Sequence, residues 1–256
     1  MCGRYALLAR TDLLREFLGI VDVEDPPARY NIAPTQPILV VVAGERQEPG
    51  SNLPERRAVL VRWGFMPGWV KDPRDFPLLI NARSETAVGK ASFKAAMRHR
   101  RILVPASGFF EWRRPEEKGA KAQAYFIRPR KGEIVAFAGL METWSSADGS
   151  EVDTGAILTT AANNDISRIH DRMPVVIRPE DFSRWLDCKA QEPRDVVDLM
   201  KPIDDGFFEA IAISDKVNKV ANMGPDILEP VEEEAPMPQK KKGADAPPSS
   251  DQLSLF

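Results

Sequence analysis

Cys2 follows an initiator methionine of the kind that is normally trimmed before so small a residue. Loss of Met1 turns the start of the chain into a 1,2-aminothiol, a pair of nucleophiles that no internal residue carries. The reference pKa of an α-amine lies near 8, against about 10.4 for lysine, so at pH 7 roughly a tenth of it is neutral and reactive. Such an amine condenses with an aldehyde to a Schiff base, and the adjacent thiol can close on the imine carbon to give a five-membered thiazolidine. The plainer reading of the same residue is a small buried thiol near the N-terminus.

Other segments carry parts that this chemistry can use. Glu111 sits in Gly108-Phe109-Phe110-Glu111-Trp112, a carboxylate among aromatics, where burial would raise its pKa towards proton transfer. His170 lies in Ile169-His170-Asp171-Arg172-Met173-Pro174, and an imidazole suits general acid–base work near neutral pH. In Ile80-Asn81-Ala82-Arg83-Ser84-Glu85, an amide and a guanidinium precede a predicted helix. Arg4 is two residues from the nucleophile. Asn31 and Pro34 belong to the Pro-terminated turn Arg29-Tyr30-Asn31-Ile32-Ala33-Pro34, and Trp69 tips the loop after Arg62-Trp63-Gly64-Phe65. Thr160 lies in Thr159-Thr160-Ala161-Ala162. Each has a duller role: Glu111 pairing with Arg113 on a surface strand, His170 capping a helix end, Trp69 in the core. The set as a whole favours Schiff-base chemistry.

The elements that must position these residues mix short apolar runs with short amphipathic stretches. Strands are predicted over 38–43, 59–65, 101–106, 108–112, 124–128, 134–140 and 155–160, most of them β-branched or aromatic-rich. Helices are predicted over 12–18, capped by Thr11, within 84–97, and over 165–169, 180–187 and 194–200. The strands cluster rather than alternate with helices, which predicts an α+β fold built on an antiparallel sheet or barrel with flanking helices. One domain is expected over 2–228. From Glu229 the composition turns to Pro, Glu, Lys, Ala and Ser, which predicts a disordered linker over 229–251.

Bulk composition narrows the class. The chain has 256 residues, 43% hydrophobic and 29% charged, as expected of a globular enzyme. The sequence has no apolar run of 18 residues and no signal-like start, so a cytoplasmic protein with no membrane partner is expected. Cys2 and Cys188, with only His99 and His170 beside them, predict neither a disulfide framework nor a metal site. No cofactor is expected. Net charge is −3, but 94–131 carries eleven Lys and Arg against three Glu, a local balance of +8 that suits phosphate contact.

The motifs MCGRY, RYNIAP, RWGFMPGW, INARSET, GFFEW and IHDRMP, in this order and spacing, resemble the SRAP family, the SOS response-associated peptidases or abasic-site processing proteins. The resemblance covers residues 2 to about 231. It implies removal of Met1 by the protein itself, followed by cross-linking of the terminal Cys to abasic sites in single-stranded DNA at a replication fork. It carries the catalytic positions onto Cys2, Asn81, Glu111 and His170, and strand contacts onto Arg4, Arg83, Thr160 and Trp69, with Asn31 and Pro34 in the RYNIAP motif. It implies a monomer. Where family members often carry two adjacent tryptophans, this chain reads Trp69-Val70.

Two other classes use some of the same residues. An N-terminal-nucleophile cysteine hydrolase would act in trans on amides with Cys2 and its own amine. A non-catalytic reader of modified or single-stranded DNA would need neither. The last five residues, Gln252-Leu253-Ser254-Leu255-Phe256, resemble the QL[SD]LF peptide by which bacterial replication and repair proteins dock on the sliding clamp. Gln252, Leu253, Leu255 and Phe256 would be the anchors of such a peptide. A linker of about 22 residues would give a reach on the order of 25 Å.

Overall fold

A computed structural model describes residues 2–21, 23, 27–44, 54–115 and 121–232. Met1 and the segment expected to hold most of the linker and the clamp-like peptide lie outside the described residues.

The chain opens with β1 (Tyr5–Leu7), α1 (Thr11–Leu18), β2 (Arg29–Ile32), β3 (Pro37–Ala43) and β4 (Arg56–Trp63). After a long loop come β5 (Asn81–Arg83), α2 (Ser84–Ala87) and α3 (Lys94–His99). Five strands follow almost without a break: β6 (Arg101–Ala106), β7 (Gly108–Arg113), β8 (Gln123–Pro129), β9 (Val135–Ser145) and β10 (Glu151–Ala161). Then β11 (Arg172–Pro174), β12 (Val176–Ile177), α4 (Phe182–Leu186) and β13 (Phe208–Ile213) complete the set.

Two sheets share one core. The first runs β13-β8-β7-β1-β2, antiparallel throughout. In the second, β4 pairs β3, β3 pairs β6, β6 pairs β9, β9 pairs β10, and β10 returns to β4. That cycle is a five-stranded barrel, and the contact that closes it is parallel. Barrel closure brings backbones close, and two glycines mark where. A Cβ on Gly139 would lie 2.8 Å from Ile102 Cγ1, and one on Gly155 would lie 3.0 Å from Val61 Cγ2. Between the sheets Tyr5 meets Trp63 edge-on at 5.4 Å and Phe109 meets Phe137, while Phe109 also meets Phe208 within the first sheet. All five rings are fully buried, each worth about 2–3 kcal/mol in transfer from water.

The α+β class and the seven predicted strands are present, each within a few residues of its expected ends. Several expectations change. The parallel pairs β4–β10 and β5–β10 make the second sheet mixed rather than antiparallel. α1 begins at Thr11, so Arg10 takes the N-cap position with extended backbone and no side-chain cap bond; Thr11 is already helical and cannot cap. Residues 165–169 form turns, not a helix, because the Asp165 carboxylate accepts from the Gly206 and Phe208 N–H groups and draws the segment to a neighbouring loop. The expected helix within 84–97 splits into α2 and α3, with turns at Gly89 and Lys90 between them. The expected helix over 180–187 is present as α4, preceded by a 3-10 turn over Pro179–Asp181, whereas the one over 194–200 is a 3-10 helix; each opens on a proline. Backbone pairing continues past 228, with the Val231 N–H donating to Ala212 O at 2.9 Å. Among the described residues no helix is long and apolar enough to cross a membrane.

Candidate active site

The site forms where the two sheets meet at the N-terminus. Tyr5 pairs with Phe109, and the Phe110 N–H donates to Arg4 O at 2.9 Å. Extending that antiparallel register sets Gly3 opposite Glu111, so β1 and β7 bring the N-terminal segment to the carboxylate. Cys2 is fully buried, and its thiol contacts Arg4 O at 3.9 Å. Burial, and then the nearby charge of Glu111, push the Cys2 thiol well above the ordinary range. At neutral pH that sulfur is a protonated thiol rather than a thiolate.

Glu111 is 3% exposed, and burial raises its pKa, while the positive charge available to His170 opposes the rise. A carboxyl whose pKa is raised by burial is better placed to give or take a proton during a reaction. Glu111 is too buried for the alternative of a surface pair with Arg113, whose guanidinium lies 5.4 Å over the Tyr125 ring.

β5 brings the third residue. Its strand pairs with β10 in parallel, with Asn81 opposite Ile157 and Arg83 opposite Thr159. From there Asn81 Nδ2 donates to Cys2 O at 2.8 Å. Asn81 Oδ1 is buried with no hydrogen-bond partner among the described residues. On the far side of β10, β11 pairs Met173 with Thr160. His170 lies two residues before β11, at the end of the loop that returns from β10. Its Nδ1 accepts the Arg172 N–H at 2.9 Å, so the neutral ring carries its proton on Nε2. Asp171 Oδ1 is also 2.9 Å from Nδ1. That contact becomes an ion pair only in the protonated ring, which must first give up the Arg172 bond. Glu111 interacts electrostatically with both Cys2 and His170. The four residues expected to be catalytic are therefore gathered in one place from four separate stretches of sequence.

The expected strand contacts are distributed differently. Arg83 is exposed. Trp69 is 61% exposed and stacks edge-on against Phe76 at 5.5 Å. Phe76 supplies the loop with a second ring, while Val70 turns inward and its carbonyl accepts the Trp144 indole N–H at 2.6 Å. Arg4 is half-buried, and its Nη1 donates to Asn31 Oδ1 and Val217 O at 2.7 and 2.9 Å. Buried Asn31 in turn holds the carbonyls of Lys219 and Asn222. These two side chains join the N-terminus to the 215–222 loop. Thr160 is buried in β10, and Pro34 is half-buried at the turn before β3.

Arg172 is the residue that the sequence reading passed over. Its guanidinium binds Glu85 through two bonds, at 2.6 and 2.9 Å, and Thr159 O at 2.6 Å. It thereby locks the His170 loop to β10 and to α2, which directly follows the strand β5 that carries Asn81 and Arg83. The adjacency of Glu85 to INAR and of Arg172 to IHD was visible in the sequence, but their pairing across 87 positions was not.

Among characterised proteins, the chain is 35% identical over 233 residues to the abasic site processing protein YoqW of Bacillus subtilis, covering 90% of this chain and 99% of that one. It is 31% identical over 242 residues to the abasic site processing protein YedK of Escherichia coli, covering 90% and 100%. The abasic site processing protein HMCES of Gallus gallus is 30% identical over 227 residues, covering 79% of this chain and 66% of that one. In fold, it resembles a crystal structure from Bacteroides thetaiotaomicron at a TM-score of 0.71 and 24% identity, covering 90% of this chain and all of that one. A phage-related protein from Bordetella bronchiseptica gives 0.63 at 26%, covering 83% and 94%. A sequence model of the SOS response associated peptidase (SRAP) family matches residues 1–220, and the chain belongs to that family.

Proposed function

We propose that this protein processes abasic sites in single-stranded DNA by covalent capture at Cys2, after it has removed its own Met1. The observation that carries the reading is the Asn81–Cys2 bond beside buried Glu111. Together they hold a terminal 1,2-aminothiol in place next to a proton donor and acceptor. The relatives named abasic site processing proteins support the same substrate class.

The chemistry follows from the protonation states. A buried, protonated thiol is a poor first nucleophile, so the freed amine attacks first. The abasic sugar is in equilibrium with a small open-chain aldehyde, and His170 assists ring opening by accepting or donating a proton. The amine adds to C1′ to give a carbinolamine, which loses water to the imine as Glu111 protonates the departing hydroxyl. The Cys2 sulfur then adds to the imine carbon and its proton passes to the nitrogen, giving a thiazolidine with no net change in oxidation state. Arg83 engages a flanking phosphate, and Trp69 with Phe76 stacks on or wedges against a base. Arg4, set by Asn31, and the Thr160 and Pro34 backbone shape the strand's path. No base is read, because its absence is what lets C1′ reach a buried sulfur.

Incubation of Met1-trimmed protein with an abasic oligonucleotide, followed by a denaturing gel, tests the reading. Wild type gives a heat-stable adduct, Cys2→Ala gives none, and Cys2→Ser gives at most a labile imine or oxazolidine. A stable adduct of normal yield from Cys2→Ala overturns the assignment. Turnover of small amides without an adduct would indicate the hydrolase, and binding that needs neither aldehyde nor Cys2 would indicate the reader.

A further inference from the structure

We infer that Trp63 is a positioning residue for the reaction at Cys2: its buried indole N–H fixes the backbone beside Asn81 and so sets the amide that holds the Cys2 carbonyl. The inference rests on the function proposed above and adds to it a side chain that acts through Asn81. Trp63 Nε1 donates to Ile80 O at 2.9 Å. Ile80 directly precedes Asn81, whose Nδ2 donates to Cys2 O at 2.8 Å.

Two contacts place Trp63 between the segments that meet at the Asn81–Cys2 bond. On one side its N–H reaches Ile80 O, which also accepts the Ile157 N–H of β10 at 3.1 Å. β5 is only three residues long, so two donors on this one carbonyl fix where it begins. On the other side the ring meets Tyr5 edge-on at 5.4 Å, in the strand β1 that leads back to Cys2. Tyr5 and Trp63 are both fully buried. One side chain thus packs against the segment that carries the nucleophile and is hydrogen-bonded to the segment that holds it.

The indole is itself held in place. Trp63 ends β4, where the barrel closes on Gly155 of β10. Its backbone N–H donates to Gln36 O at 2.9 Å, and its carbonyl accepts the Thr35 N–H at 2.7 Å. Thr35 has a φ of 72°, a left-handed conformation that is costly for a β-branched residue and persists only where its surroundings over-determine it. With backbone and ring both fixed, the N–H at Nε1 directs Ile80 O, and the Asn81 side chain beside it, with the rigidity of the core. Rigidity matters here because a small displacement of a reacting group costs rate without costing affinity. A tryptophan that only filled the core would show no such dependence on its N–H.

The test compares single-turnover cross-linking to an abasic oligonucleotide with equilibrium binding of its tetrahydrofuran analogue, which has no aldehyde to react. Trp63→Phe keeps a ring in the core and removes the N–H. Benzothienylalanine at position 63 replaces the N–H by sulfur at nearly constant volume, and it decides the matter if Trp63→Phe does not fold. Either substitution is expected to slow cross-linking by about fivefold, the order set by loss of one hydrogen bond, and to leave affinity unchanged. In an Asn81→Ala background the same substitution is expected to cause no further slowing, because its effect passes through Asn81. An unchanged rate, a parallel loss of affinity, or the same slowing in both backgrounds overturns the positioning role. Failure of the function itself reads differently, as absence of a wild-type adduct with a true abasic strand.

Discussion

The Asn81 side-chain amide donates to the backbone carbonyl of Cys2 at 2.8 Å, tying the first described residue of the chain to the short strand β5. Termini usually fray. This one is fully buried at Cys2, with one carbonyl held by a side chain that β10 positions in turn. Covalent capture by a terminal amine needs such preorganisation, because a freely moving terminus forfeits the gain from holding two reactants together.

That bond gives the first prediction. Asn81→Ala should slow adduct formation by about tenfold or more while strand affinity changes little, since the residue positions the nucleophile. Asn81→Asp should be slower still, because a carboxylate oxygen would face the Cys2 carbonyl oxygen. Single-turnover cross-linking and equilibrium binding, measured on the same preparations, check it. Loss of affinity in parallel with rate would assign Asn81 to binding instead.

Glu111 gives a prediction with a definite sign. Burial raises its pKa in the folded protein, so the native state binds more protons than the unfolded chain between the two pKa values. Stability contributed by the neutral form is therefore full below the unfolded pKa of about 4.3 and is lost as pH rises through the folded value. Glu111→Gln should raise the melting temperature at pH 7–8, and the gain should vanish near pH 4. The same variant should slow adduct formation, as it leaves no proton to transfer. Melting curves across pH check the first part; a constant difference at every pH would mean that the carboxyl is not the titrating group.

The Arg172–Glu85 pair gives a third. Arg172→Lys keeps the charge but cannot make the two parallel bonds to Glu85, and Glu85→Gln removes the charge beneath them. Both should disturb the His170 loop, slowing cross-linking by several-fold. In a double-mutant cycle the two should couple by about 1 kcal/mol at most, because Glu85 is half-exposed and screened. Independent, additive effects would mean that the pair does not hold the loop.

Much of this site was legible one residue at a time. Cys2, Asn81, Glu111 and His170 were identifiable from residue type and motif, and β7 around Glu111 was plain from its aromatic, β-rich run. What the sequence concealed were relations between distant segments. β5 is only three residues long and carries no alternation of its own; it is a strand because β10 offers a parallel edge. The barrel's closing contact joins β4 to β10 across about ninety residues, with nothing local to signal it. Arg4 and Asn31 are expected strand contacts, and neither motif signalled the bond between them. Here Asn31 spends its amide on Arg4 and backbone carbonyls, a demand set by the 215–222 loop far along the chain. Phe76 was overlooked because the reading sought a second ring next to Trp69 in sequence rather than across the loop.

The last prediction concerns Gln252-Leu253-Ser254-Leu255-Phe256, which lies outside the described residues and is argued from its chemistry alone. Leu255 and Phe256 form an aliphatic–aromatic pair of the kind that plugs an apolar pocket, and Gln252 offers an amide to anchor the other end of an extended peptide. Neighbouring sequence is rich in Pro, Lys and Ser, so these apolar side chains stand out from it. We predict that the full chain binds a bacterial sliding clamp with a dissociation constant in the micromolar range, as befits a pentapeptide with two buried anchors. Leu255→Ala with Phe256→Ala, or a chain ending at Asp251, should lose that binding by tenfold or more, while cross-linking to an abasic oligonucleotide without clamp stays at the wild-type rate. Titration of labelled clamp with each protein checks it. Equal binding by all three, or none by wild type, removes the tether and leaves the chemistry at Cys2 standing on its own residues.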